Sequence, residues 1–362
     1  MNSLFFELIR VALGNADCLS HMPSSKEWKA LYEMATKQSI VGVCFAALRR
    51  LGADANEGFV RIGMSKMLYL SWMGMTAKIQ QRNELVNRQC VDLQRMLSDA
   101  GFRSCILKGE GVGQLYSQHL LGIRQSGDID LWVEGTSKDT IAMLKNLGIE
   151  LCNINIKHAD AKVFEETEVE IHFVPSWFYN PMTNRRFKAW IKSREDEQMA
   201  NKVGDLVAPT AEFNAVYLLL HIYRHLLDEG VGMRQLMDYY FALNALPVLQ
   251  KENCYNTVCS LGMRRIASAV MWIMQEIFGL DKEHLLCEPD VKEGSKLLNE
   301  ILKGGNFGHY DKRKDHIHRN AMGRGWRNFR KNQRYLFHYP SEVLWSPVWK
   351  VWHWCWRKQV NK

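Results

Sequence analysis

Over most of the first hundred residues the apolar positions recur every three to four residues, the period of an amphipathic helix. Trp28, Leu31, Tyr32 and Ala35 hold that spacing, and Ser24 with Glu27 three residues on forms a capping box at its start. A longer periodic stretch, rich in Met and Leu, covers 57–99 as one helix or two and closes at Gly101; its methionines suit core packing. At Gly101 the pattern changes. FRSCILKG is short, apolar and bounded by glycine, and predicts a strand. EGVGQLYSQHLLG predicts a short helix or turn weakened by Gly111 and Gly113, and GDIDLWVEG a second strand. TSKDTIAMLKNLG predicts a helix with Thr136 and Asp139 in capping-box positions and Gly148 as its stop. AKVFEE and TEVEIHFVP follow as two strands of a hairpin. From Pro175 the helical period returns, first in WFYNPMTNRRFKAWIKSREDEQMA, with an irregular start. The stretch from Ala208 to Leu246 predicts two helices split at Gly230 and Gly232, and VCSLGMRRIASAVMWIMQEIFG and EGSKLLNEILKGG predict two more.

The expected fold is therefore α+β, a small mixed β-sheet over 101–175 flanked by helical regions at 1–100 and 176–309, with a tail at 310–362. No internal repeat or low-complexity segment interrupts it. The 362 residues are 47% hydrophobic and 24% charged, which fits a globular protein and excludes a disordered one. The nine cysteines are scattered, odd in number and without a Cys-x-x-Cys pair. That disfavours a disulfide framework or zinc ribbon and fits reduced thiols in the cytoplasm. The start, MNSLFFELIRVALGNAD, lacks a basic leader, and Glu7 and Arg10 break its apolar run. No stretch approaches the roughly 18 apolar residues of a spanning helix. Cytoplasmic location is expected, with peripheral attachment to a membrane as the second option.

Two carboxylates break the apolar run SGDIDLWV. Side chains at i and i+2 of a strand share a face, so Asp128 and Asp130 stand side by side while Ile129 and Leu131 face the other way. Burying two such neighbours calls for a positive partner, and a hard divalent cation with oxygen ligands is the usual one. EVEIHF repeats the alternation: Glu168, Glu170 and His172 lie on one face, Val169 and Ile171 on the other. If that strand lies beside the Asp strand, Glu170 shares the metal.

This set, a glycine turn, Asp-x-Asp on a strand and an acidic residue on a later strand, resembles the DNA polymerase β superfamily of nucleotidyltransferases. More narrowly, ILKGEG, YSQHLLGIRQSGDIDLWV and VEIHF resemble a bacterial family of largely uncharacterised nucleotidyltransferases, over about residues 100–175 and more loosely into EFNAVYLLLHIYRHLLDEGVGMRQLMDYY. One departure stands out. The superfamily places Gly-Ser or Gly-Gly nearer the first aspartate than Lys108-Gly109-Glu110 lies here, and no serine follows Gly109.

The resemblance implies transfer of a nucleoside monophosphate from an NTP such as ATP to an acceptor hydroxyl. It implies two Mg²⁺ ions, with Mn²⁺ as a substitute, on Asp128, Asp130 and Glu170, the last nearer the nucleophile. Amides at Gly109 and Glu110, with Lys108 and Arg124, are the phosphate candidates, and Ser126 and Gly127 the tight entry to the strand. A sugar, a small molecule, a protein hydroxyl and an RNA end all fit as acceptor. The alternative is a non-catalytic protein that holds a nucleotide, nucleic acid or membrane partner through the same cleft or the tail.

His221 and His225 lie one helical turn apart in LLLHIYRHLLDEG, without the glutamate of an H-E-x-x-H site. The favoured reading is a helix face lining the cleft, from which Arg224 and Arg234 reach phosphates; Asp238 is either a general base or, as favoured, the partner of Arg234 at i, i+4. His172 either orients a carboxylate, contacts substrate or is a structural histidine. The tail carries 13 Lys and Arg against 3 Asp and Glu, whereas the other residues carry 34 against 36. Five of the twelve tryptophans fall between Trp345 and Trp356. The first expectation is that they pack on the helical domain. Seating on a membrane interface comes second and nucleic-acid binding third.

Overall fold

The computed structural model describes residues 2–54, 58–311 and 333–360. Five helices precede the sheet: α1 (Asn2–Leu13), α2 (Ser25–Lys37), α3 (Val41–Arg50), the single turn α4 (Gly58–Arg61) and α5 (Lys66–Asp99). The capping box forms at Ser24 and Glu27 as expected. The periodic stretch at 57–99 breaks at Gly63, whose φ of 72° suits glycine, and restarts where Ser65 caps α5. The 34-residue α5 buries one stripe, Trp72, Thr76, Ile79, Asn83, Val86, Cys90, Leu93 and Leu97. Its methionines depart from expectation. Met64 is buried, but Met67, Met73 and Met75 are exposed, because they point away from that stripe.

The sheet is mixed, as expected. Its strands are β1 (Ser104–Ile106), β2 (Ile129–Val133), β3 (Glu150–Cys152), β4 (His158–Lys162) and β5 (Val169–His172), in the order β1-β2-β5-β4-β3. β2 and β5 run parallel, and the other neighbours pair antiparallel. Two short helices interrupt it, α6 (Glu110–Gly113) and α7 (Ser137–Asn146), the latter capped by Thr136. Two details differ from the sequence reading. The strand before β5 is HADAK rather than AKVFEE, and β3 was not anticipated. Three-residue strands carry too little alternation to be recognised from sequence.

One sheet face is apolar. Ile106, Ile129, Leu131, Val133, Val169 and Ile171 cluster there with Val86, Cys90, Leu93 and Leu97 of α5 and Met143 and Leu144 of α7. The other face carries the acidic residues and Trp132, which turn toward the C-terminal helices.

Those helices are α8 (Pro181–Ala200), α9 (Ala211–Asp228), α10 (Met233–Ala245), α11 (Lys251–Ser260), α12 (Arg264–Ile273), α13 (Val291–Gly304) and α14 (Pro340–Val360). A two-residue hairpin, β6 (Lys202–Val203) and β7 (Leu206–Val207), separates α8 from α9. VCSLGMRRIASAVMWIMQEIFG forms two helices rather than one, because Gly262 at φ 71° turns the chain between α11 and α12. α12 runs on into a π-helical turn over Met274–Phe278. The N-terminal and C-terminal helices share one hydrophobic core. Trp132 of β2 stacks on Phe213 of α9, ring centroids 5.9 Å apart, so the acidic sheet face looks onto α9.

The tail departs from expectation where it is described. On α14, Trp345, Trp352 and Trp354 are exposed and Trp349 and Trp356 half-buried, so none of the five is a core residue. The basic run over 312–332 lies outside the described residues.

Candidate active site

The parallel register sets Asp130 of β2 opposite Glu170 of β5 and Trp132 opposite His172. Asp128 precedes β2 by one residue on the Asp130 side. One carboxylate oxygen from each of Asp128, Asp130 and Glu170 lies within 4.8 Å of the other two. The alternation read from the sequence is thus realised in space.

Cations crowd two of these carboxylates. Lys108 Nζ lies 2.7 Å from Asp130 Oδ1. His172, fully buried, places Nε2 2.8 Å from Asp130 Oδ1 and 3.1 Å from Glu170 Oε2. Glu170 Oε2 also has His158 Nδ1 at 2.9 Å and Lys157 Nζ at 3.5 Å. Burial alone would raise both carboxyls, but these partners win. Lys108 and His172 hold Asp130 well below the usual range, and His158, His172 and Lys157 do the same for Glu170. Asp128 is the exception. Its pKa is raised, by the charge of Asp130 first and burial second, with Lys108 offsetting only part. Among the described residues no ion pair reaches its carboxylate, which accepts a hydrogen bond from its own backbone N–H.

Lys157 and His158 were missed from sequence. His158 sits directly opposite His172 across the β4–β5 ladder, and the misplaced hairpin strand hid that register. Burial lowers the pKa of both groups. His158, Glu170 and His172 form a second set of ligand atoms as close together as the three carboxylates.

The phosphate candidates divide. Gly109 takes φ 55° at the head of α6, beside the Asp128 carbonyl, a conformation that favours glycine. α6 is only one turn long, and Glu110 beneath it is buried, its carboxyl pushed up to about 7 by desolvation, which Arg124 only partly opposes. Folding therefore takes up a proton at Glu110 between its ordinary pKa of 4.5 and about 7. Stability should fall as pH rises through that window, and Glu110→Gln should flatten the slope. Urea unfolding of both proteins across the window checks this; parallel slopes would contradict it.

Arg124 is not available to phosphate. Its Nε and Nη2 grip Asp238 at 2.6 and 2.8 Å, both side chains are buried, and Tyr116 donates its hydroxyl to Asp238 at 2.8 Å. Two expectations are corrected together: Asp238 is the partner of Arg124, not of Arg234. The reason is reach, since the loop before β2 packs against α10. Arg224 is also corrected. It pairs with Asp228 and, at 3.4 Å, with Glu342 of α14, and its guanidinium lies 3.8 Å from the Tyr179 ring centroid. It anchors α14 instead of reaching phosphate.

Arg234 remains. It is buried, donates to the Gln125 carbonyl at 2.9 Å and has no carboxylate partner among the described residues. Its Nε lacks any hydrogen-bond partner there. Gly127 faces it: a Cβ on Gly127 would lie 3.7 Å from Nη1. The Ser126 hydroxyl in the same turn is buried and unpartnered among the described residues. Burial, and then Arg124, lower the Arg234 pKa, although Asp128 pulls the other way.

His221 and His225 stand edge to face on α9, centroids 4.2 Å apart. His221 is driven well below its ordinary value by burial and then by His225, Lys108 and Lys157, which keeps it neutral. His225 Nδ1 lies 3.1 Å from Glu229. The structure thus brings Asp128, Asp130, Glu170, Lys108 and His172 together, sets Gly127 beside Arg234 next to them, and pairs Arg124 and Arg224 with other carboxylates.

Residues 24–279 match a family model described as an uncharacterised nucleotidyltransferase, a span that takes in the whole sheet and α2 through α12. No curated protein matches the chain.

Proposed function

The chain belongs to the uncharacterised nucleotidyltransferase family, and from that premise we propose that it moves a nucleoside monophosphate from an NTP to an acceptor hydroxyl. Nucleotidyl transfer is the chemistry of the family. The finer reading assigns Asp128, Asp130 and Glu170 as ligands of divalent metal, Mg²⁺ first and Mn²⁺ as its substitute. The observation that carries it is the β2–β5 register, which faces Glu170 with Asp130, beside an Asp128 that Asp130 repels and that has no ion pair among the described residues.

The donor set fits the metal. Three carboxylates that converge within 4.8 Å are hard oxygen ligands, and the raised Asp128 is a site whose charge awaits compensation. Bound metal there neutralises triphosphate charge and makes the attacking hydroxyl more acidic. The chain's own residues position the rest. His172 fixes the orientation of Asp130 and Glu170 through one ring nitrogen. Lys108 and Lys157 balance the carboxylates before substrate arrives. Arg234, a buried cation without a carboxylate partner among the described residues, would hold phosphate, and Gly127 leaves room beside it. The acceptor hydroxyl gives up its proton to solvent as its oxygen forms a bond to the α-phosphorus, and the bond from that phosphorus to pyrophosphate breaks. Little covalent work falls to the protein, so positioning and charge carry the catalysis.

Each NTP, labelled at the α-phosphate, is incubated with full-length protein, Mg²⁺ and fractionated cell extract. Label should pass into a product with wild type and not with Asp128→Asn. Transfer that survives chelation, or that Asp128→Asn leaves intact, refutes the reading.

Arg234→Met should weaken Mg-NTP binding about ten- to a hundredfold, the worth of a charge-assisted hydrogen bond or two. Calorimetric titration measures it. Unchanged affinity would remove Arg234 from the phosphate site.

A further inference from the structure

We propose that the outward side of α14 seats the protein on an anionic lipid surface, as a peripheral and not a spanning contact. Among the described residues no helix is long and apolar enough to cross a membrane.

α14 has two unlike faces. One is fastened to the protein. Glu342 accepts backbone hydrogen bonds from Tyr179 at 2.7 Å and Asn180 at 3.1 Å and pairs with Arg224. Trp349 stacks on Trp177 with centroids 5.6 Å apart, and Lys350 reaches Asp228 at 3.4 Å. The other face points to solvent and is apolar where a surface helix is ordinarily polar. Leu344, Trp345, Val348, Val351, Trp352 and Trp354 are all exposed, Val351 to 66% and Trp352 to 52%. Successive steps of three and four place Leu344, Val348, Val351 and Cys355 in one stripe, with Trp345 and Trp352 along its edge.

Charge selects the occupant. Glu342 is the only acidic residue in α14 and is buried, whereas Lys350, Arg357 and Lys358 are its cations. Lys358 Nζ lies over the Trp354 ring, 3.7 Å from its centroid. Tryptophan beside basic residues, with aliphatic residues between, is the composition that sits at the boundary of lipid and water. Lys350 is already held by Asp228, so the outward charge is that of the exposed Arg357 and Lys358. A second copy of the helix would bring the same positive charge against it, whereas an anionic headgroup layer is complementary to it while the stripe enters the acyl boundary. This inference is independent of the transfer reaction.

The test uses full-length protein and sedimentation with vesicles of phosphatidylcholine alone or mixed with phosphatidylglycerol. The triple substitution Val348→Gln, Val351→Gln, Trp352→Gln alters only outward positions, and an unchanged melting temperature verifies its fold. Wild type should sediment with phosphatidylglycerol vesicles at least tenfold more than the variant, and less as salt rises. Any of the following results would overturn the proposal. One is no vesicle binding by wild type, or equal binding by the variant. Another is equal binding to phosphatidylcholine alone. The third is a wild-type dimer that the substitutions convert to monomer, which would make a second copy the occupant; retention on RNA without vesicle binding would likewise reassign the face.

Discussion

Asp128→Asn and Asp130→Asn will each cut transfer by roughly 10²–10³-fold or more, the loss expected when one preorganised charge is removed from a transition-state site, yet they will move stability in opposite directions. Asp128 carries a raised pKa because Asp130 repels it, and no described residue pairs with it. Neutralising it removes repulsion, so the metal-free variant should melt at or above the wild-type temperature. Asp130 holds Lys108 at 2.7 Å and His172 at 2.8 Å in a buried setting. Asn at that position strands the Lys108 ammonium, and breaking a buried pair from one side costs about 3–5 kcal/mol. Thermal melts in chelator, run beside the transfer assay, separate the two. Equal destabilisation would mean that Asp128 has a partner in the folded protein. Retained transfer in either variant would mean that the carboxylates do not hold the metal.

Loss of the Arg124–Asp238 pair is expected to be the most damaging single change outside the metal site. Arg124→Met or Asp238→Leu should each cost about 3–5 kcal/mol, because each leaves a buried charge behind. The pair ties the loop before β2 to α10. The same loop is held from the other side by Asn83 of α5, which donates to the Arg124 carbonyl at 2.6 Å. Loosening it shifts Gln125 to Gly127 and the Asp128 that follows, so transfer should fall along with stability. The double substitution Arg124→Met, Asp238→Leu should recover much of the stability, since no charge is left unpaired. Urea unfolding of the three variants measures this cycle. Additive losses in the double variant would show that the two groups act independently.

The sequence by itself determined which side chains share the acidic face of the sheet. Asp128, Asp130, Glu170 and His172 follow from strand alternation, which depends only on the local backbone and survives whatever packs around it. The same is true of helix boundaries marked by Ser24, Thr136, Gly148 and the Gly230–Gly232 break, since caps and left-handed glycines act within one turn.

Pairing was decided only in three dimensions. Arg124 looked like a phosphate ligand because it precedes the aspartates, but it meets Asp238 from α10 and is consumed there. Arg224 and Arg234 lie on consecutive helices, yet one meets Glu342 of α14 and the other meets no carboxylate among the described residues. Lys157 and His158 entered the site through the β4–β5 ladder, whose register a few alternating residues could not fix. The tryptophans of α14 gave no sign of which would face outward, because a helical stripe names a face without naming what covers it. Local sequence sets which side chains point together. Long-range approach sets which charges are neutralised and which are not, and that is why the pairing state of Arg234 and Asp128 among the described residues, and the exposure of the outer face of α14, emerged only from the tertiary structure.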